Sequence, residues 1–194
     1  MTGVLTRVHE STHGYSLRRS LAGAALLGLV AAAPLAAQGY PFSQRGAISQ
    51  NVALTSIEIE YGRPTARGRA LFGALVPWDS IWHPGADSAT RVAIDHDIVL
   101  EGHNVKAGEY SLWLIPRARA PWTVILNRTA HTFHKPYPGS ATDVLRFDVA
   151  PKAASHVETL AISFPMVLRD EATLRIQWGE TALDLAIKAP FKPD

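Results

Sequence analysis

The chain has 194 residues, 47% of them hydrophobic, with 19 basic and 17 acidic side chains and no cysteine. The absence of thiols excludes disulfide staples, thiolate metal sites, a cysteine nucleophile and a cysteine-linked lipid anchor. Residues 1–37 carry three of the basic residues (Arg7, Arg18, Arg19) and one acid (Glu10), so the remainder holds 16 of each and offers no electrostatic footprint for nucleic acid or an anionic membrane.

The chain opens on a leader: "LRRSLAGAALLGLVAAAPLAAQ" sets an arginine pair before an apolar run from Leu21 to Ala37 and a polar Gln38. That is the pattern of a secretory signal peptide over 1–37, too short an apolar run for a typical spanning helix. The expectation is an exported protein, periplasmic or extracellular, with no stable membrane insertion once the leader is removed. Residues 38–47 read as a flexible N-terminal segment, 48–190 as one domain and 191–194 as a C-terminal tail. About 157 residues remain after the leader, enough for a single packed core.

Along the domain the apolar period is two, in runs of four to eight residues separated by turn formers, which predicts β-strands. "VALTSIEIEY" is the first pairable region, and its apolar phase switches between Leu54 and Ile57, marking a bulge or a change of strand. "TRVAI" and "DIVL" follow, then the polar turn "EGHN" and "VKAGEYSLWLIP", broken at Lys106–Gly108. "WTVILN", "VLRFDV", "ETLAISF", "ATLRIQW" and "ALDLAI" complete the set. The last two flank "GET", which predicts a tight hairpin with Leu174, Ile176 and Trp178 facing the core and Thr173, Arg175 and Gln177 facing water. The one helical candidate is 65–75, with Thr65 as N-cap, limited to a turn or two by Gly68 and Gly73. The fold class is therefore all-β: a single antiparallel β-sandwich, jelly-roll-like, of about nine short strands. Three long irregular connections, 62–88, 128–142 and 150–157, are where a functional site is expected.

The string "SQNVALTSIEIEYGRPTARGRALFGALVPWDSIWHPGADSAT", with "VKAGEYSLWLIP", "WTVILN", "DVLRFDV" and "ATLRIQW", resembles the exported bacterial proteins grouped as domain of unknown function 2911, over Ser49 to Ile187. The resemblance implies no activity. Members commonly read tryptophan-arginine-threonine-glycine-alanine-asparagine where this chain reads "WHPGAD", so His83 and Asp87 depart from the family pattern.

Three constellations are candidate sites. The first is "SIWHPGADSAT", residues 80–90, where Pro84 and Gly85 shape a turn while Trp82, His83 and Asp87 exceed what a turn requires. Trp82 could be buried or could lie flat as a ligand platform, and Thr90 opens the next strand. The second is basic: Arg63, Arg67 and Arg69 within seven residues, able to hold a carboxylate or phosphate or to pair with local acids. The third is imidazole: His131 and His134, three apart, which could share a divalent metal such as zinc with His83 as an outside ligand. No Ser-His-Asp motif, nucleophile elbow, phosphate loop or dinucleotide fingerprint is present.

Three functions follow. The favoured one is a non-enzymatic protein without a cofactor, binding a small molecule, carbohydrate or envelope partner through Arg63, Arg67, Trp82, His83, Asp87 and Thr90. The alternative is a metal-assisted hydrolase or lyase with His131, His134 and His83 as ligands and Asp87 as base. The third is a purely structural envelope protein.

Overall fold

The computed structural model describes residues 43–190. The predicted leader, residues 38–42 and the tail 191–194 lie outside the described residues. Ten strands follow in order: β1 (Gln44–Val52), β2 (Thr55–Arg63), β3 (Thr90–Ile94), β4 (Ile98–Leu100), β5 (His103–Val105), β6 (Gly108–Ile115), β7 (Trp122–Asn127), β8 (Asp143–Val149), β9 (Lys152–Val167) and β10 (Glu171–Lys188). They form two antiparallel sheets, one ordered β1-β2-β3-β6-β7-β8 and the other β5-β4-β10-β9. The fold is all-β, as the period-two pattern predicts.

The core lies between the sheets. Ile57, Ile59, Leu112 and Leu114 project from one face and Leu160, Ile176, Leu183 and Leu185 from the other, each at most 4% exposed. The phase switch after Leu54 is a change of strand: β1 and β2 pair as a hairpin in unbroken register from Gln44↔Arg63 to Val52↔Thr55. Strand structure therefore reaches back to Gln44, into a segment expected to be flexible. "QRGAISQNV" is too polar to announce a strand because β1 is an edge strand, held by ladder bonds more than by burial.

β10 is doubled back on itself. Arg175 Nε and Nη2 donate to Asp184 Oδ1 and Oδ2 at 2.7 and 2.8 Å, Lys188 meets Glu171 at 2.6 Å, and Ala189 N donates to Asp170 O at 2.8 Å. Nine fully extended residues would span roughly 30 Å, far beyond the reach of an Arg–Asp pair. The three contacts share one antiparallel register centred on Gly179 and Glu180, and Gly179 has φ +57°. This is the hairpin expected about "GET". Its first arm pairs with β9 (Ile176↔Ile162), and its second pairs with the start of β9 (Thr181↔Ala153, Ala182↔Lys152) and then with β4 (Ile187↔Leu100). Leu174, Ile176 and Trp178 face inward, as the alternation predicts, and so do Leu183, Leu185 and Ile187.

Three expectations are corrected. No helix forms over 65–75: Arg67, Gly68 and Gly73 all have positive φ, and Thr65 is bridged to Thr159 of β9, which holds the chain extended. Ala66 N donates to Glu158 O and Leu160 N to Pro64 O, both at 2.8 Å, so the continuation of β2 crosses to the second sheet. The expected loop 150–157 is only Ala150 and Pro151, since β9 begins at Lys152. The strands are also not uniformly short. β9 has 16 residues because it takes the first β10 arm on one side and residues 64–66 on the other.

Candidate functional site

The two remaining long connections build the site. The first leaves β2 at Pro64 and approaches β6 at Trp82, where Trp82 N donates to Leu114 O at 2.8 Å and Leu114 N returns a bond to Trp82 O at 2.6 Å. The chain then leaves the sheet over His83–Ala89 and rejoins it at Thr90, opposite Leu112. Trp82 and Thr90 thus sit beside consecutive inward positions of β6 although eight apart in sequence. "SIWHPGADSAT" is a loop thrown out of a sheet line. Thr90, fully buried, ties its base by donating from Oγ1 to Pro84 O at 2.8 Å. Gly85 is buried where a Cβ would lie 2.8 Å from Thr90 Oγ1 and 2.9 Å from His83 Nδ1, so close approach is what demands glycine here.

The second connection, 128–142, packs against the first. Ala89 N donates to Thr132 O at 2.9 Å and His134 N to Asp87 O at 3.0 Å. Its ends are fixed by buried Asn127, whose Nδ2 donates to Gly139 O and Asp143 Oδ1 and whose Oδ1 accepts from Thr129 N. Tyr137 donates to Asp143 and lies edge-on to Trp113 at 5.2 Å. Together the loops cover the outer face of β6 and β7, enclosing a second small core of Ala89, Trp113 and Ile125.

Between the first loop, the 64–69 crossover and β10 opens a cleft of about 520 Å³. Its floor is apolar. The Trp82 and Trp178 rings stack at 6.1 Å and 17°, and Leu75 and Val76 complete the surface. Its rim is polar, with Arg67, Arg69, Asp87 and His134. Arg69 is fixed by bonds from Nε to Ala66 O (2.9 Å) and Nη2 to Thr65 O (2.6 Å), and Arg67 N donates to Glu158 Oε1 at 2.7 Å. Asp87, exposed, has φ +62°, a conformation that aspartate tolerates better than most residues.

The predicted residues divide. Arg67, Trp82 and Asp87 line the cleft, and His134, placed in the metal set, joins them. Trp82 belongs to the core as well as to the cleft floor, half-buried and packed on Phe72 and Trp178. Arg63 is not on the cleft wall: it ends β2 in the open, its side chain lying across Gly46 of β1. Thr90 is buried structure. His83 is only 3% exposed, against Trp113 and behind the wall. Burial, reinforced by the positive fields of His134 and Arg45, lowers its pKa to about 4, so at neutral pH it is an uncharged imidazole. The three-histidine set does not assemble. His131 points away, its Nε2 2.9 Å from Glu109 Oε2, in a separate depression with Arg45 and Arg91. Three residues on a loop need not share a face, and the Ser88↔Phe133 bridge separates the two rings. Among the described residues no group of three or more His, Cys, Asp or Glu comes together as a metal site.

Trp178 and Arg69 are among the cleft residues missing from the sequence-based ligand set, as are Thr65, Leu75 and Val76. Trp178 is legible as an inward hairpin residue, but nothing in the sequence shows that the sheet ends beside Trp82.

The fold and this cleft define a two-sheet antiparallel β protein with an aromatic-floored, polar-rimmed cleft. The family described as protein of unknown function (DUF2911) matches residues 43–187, and the chain belongs to it. No curated protein and no solved structure matches the chain. Among the described residues, no helix is long and apolar enough to cross a membrane.

Proposed function

We propose that this is an exported, non-enzymatic binding protein whose cleft takes a small polar ring compound, a carbohydrate in the first instance. The observation that carries this reading is the pairing of the Trp82–Trp178 floor with the rim of Arg67, Arg69, Asp87 and His134. An indole face accepts the C–H face of a pyranose, while guanidinium, carboxylate and imidazole groups at the edge meet its hydroxyls. The volume, about 520 Å³, is that of a site for one or two sugar rings. Export is supported by the leader pattern in 1–37, and a neutral remainder suits an uncharged or weakly charged ligand.

The test is a thermal-shift and calorimetric panel of glucose, galactose, N-acetylglucosamine, glucuronate and their common disaccharides. A true ligand raises Tm in proportion to the logarithm of its concentration once saturating. The Asp87→Asn and Arg69→Gln variants should keep the unliganded Tm within a few degrees and lose most of that shift. A flat response across the panel, or shifts unchanged in both variants, would reject the reading.

A further inference from the structure

His83 and His134 hold their ring centroids 6.4 Å apart with the planes inclined at 33°. In both, Nδ1 is buried and has no hydrogen-bond partner. Leaving a buried polar atom unpaired costs about 1–3 kcal/mol. Here two such atoms occupy neighbouring rings on two loops bonded directly to each other at His134 N and Asp87 O. The space beside His83 Nδ1 is kept clear of side chain, because a Cβ on Gly85 would stand 2.9 Å from that nitrogen. Gly85 and His134 both line the cleft, so the two buried nitrogens lie just behind its wall.

We propose that His83 Nδ1 and His134 Nδ1 form a two-coordinate site for monovalent copper, entered from the cleft. An ion about 2 Å from one nitrogen of each ring sets the ring centres roughly 5 Å apart at a tetrahedral angle and roughly 6 Å apart when the two bonds are in line. The observed 6.4 Å leaves room for the in-line arrangement and is too wide for the tetrahedral one, which suits an ion content with two donors. Zinc, which takes three or four protein ligands, is poorly served, since no third carboxylate or imidazole joins the pair among the described residues. Imidazole is a good copper donor, and burial keeps the His83 lone pair free at neutral pH. The field of Arg45 reaches His83, and it weighs twice as heavily against a divalent ion as against a monovalent one. The site does not rest on the sugar reading, although His134 belongs to both the cleft rim and the metal pair.

The test is anaerobic competition between the untagged protein and the bicinchoninate complex of Cu⁺, followed by the complex's absorbance. The wild type should withdraw one equivalent. His131→Ala, which removes the imidazole paired with Glu109, should withdraw the same. His134→Ala, half-exposed and so expected to fold, should weaken withdrawal at least tenfold while keeping the near-UV circular dichroism of the wild type. X-ray absorption of the loaded protein should show two nitrogen neighbours. No withdrawal by the wild type, equal withdrawal by His134→Ala, loss in His131→Ala, or a coordination number of four would each overturn the proposal.

Discussion

Replacing Gly62 by alanine tests how the cleft wall is supported. Gly62 is buried in β2 opposite Arg45, and the loop that carries Asp87 lies directly on it. A Cβ there would stand 2.3 Å from Ala86 O and 2.9 Å from both Ala86 C and Ala86 N. These are backbone atoms, so no rotamer change relieves them. Restoring ordinary contact requires the loop to lift by roughly 1 Å, the scale of overpacking that costs about 1–3 kcal/mol. Lifting also strains the bonds from His134 N to Asp87 O and from Thr90 Oγ1 to Pro84 O, each contributing about 1 kcal/mol. The expected loss is about 2–4 kcal/mol in urea unfolding, together with weakened ligand and Cu⁺ binding. Gly46→Ala is the control. There the added Cβ meets the Arg63 side chain, Cδ at 2.6 Å, which can swing away into solvent, so the change should stay within about 0.5 kcal/mol. Equal effects at the two positions would refute the claim that backbone contact with Ala86 is what glycine serves at position 62.

Trp178→Ala should cost about 3–5 kcal/mol, since the ring is 3% exposed and stacks on Trp82; a loss below about 1 kcal/mol in denaturant unfolding would mean the floor is not part of the core. Thr90→Val keeps shape but strands Pro84 O, so unfolding should show a loss of about 1–3 kcal/mol, and no loss would deny that this bond holds the loop base. Asp184, gripped by Arg175 and Lys152, has its pKa lowered to about 2. A depressed carboxylate contributes its stability in full above its unfolded value, near 4, and loses it as pH falls toward 2. The stability gap between wild type and Asp184→Asn should therefore be widest near neutral pH and close over that acid window; a gap independent of pH would show that the pair does not stabilise the fold.

Local pattern was enough to place most strands, and particular residues show why. Trp122–Asn127 and Thr90–Ile94 are legible because their β-branched and aromatic residues are bounded by turn formers, and "GET" because a two-residue turn reverses which parity faces the core. β1 was only partly legible because an edge strand needs few apolar residues. The helix expected at 65–75 failed for a different reason: the preference of Thr65 to cap is outweighed by its pairing with Thr159, a residue 94 positions away.

The candidate site shows the same division. The sequence by itself determined the all-β class, the inward face of Trp178 and the concentration of polar and aromatic groups in "SIWHPGADSAT", because each depends on a residue's own chemistry and near neighbours. Only the tertiary structure decided that Trp82 stacks on Trp178, that His83 turns inward while Asp87 turns out, and that His134 joins the cleft while His131 leaves it for Glu109. Those outcomes rest on two loops packing across β6 and β7 and on β2 crossing to β9, contacts between residues tens of positions apart that leave no mark in any short window of sequence.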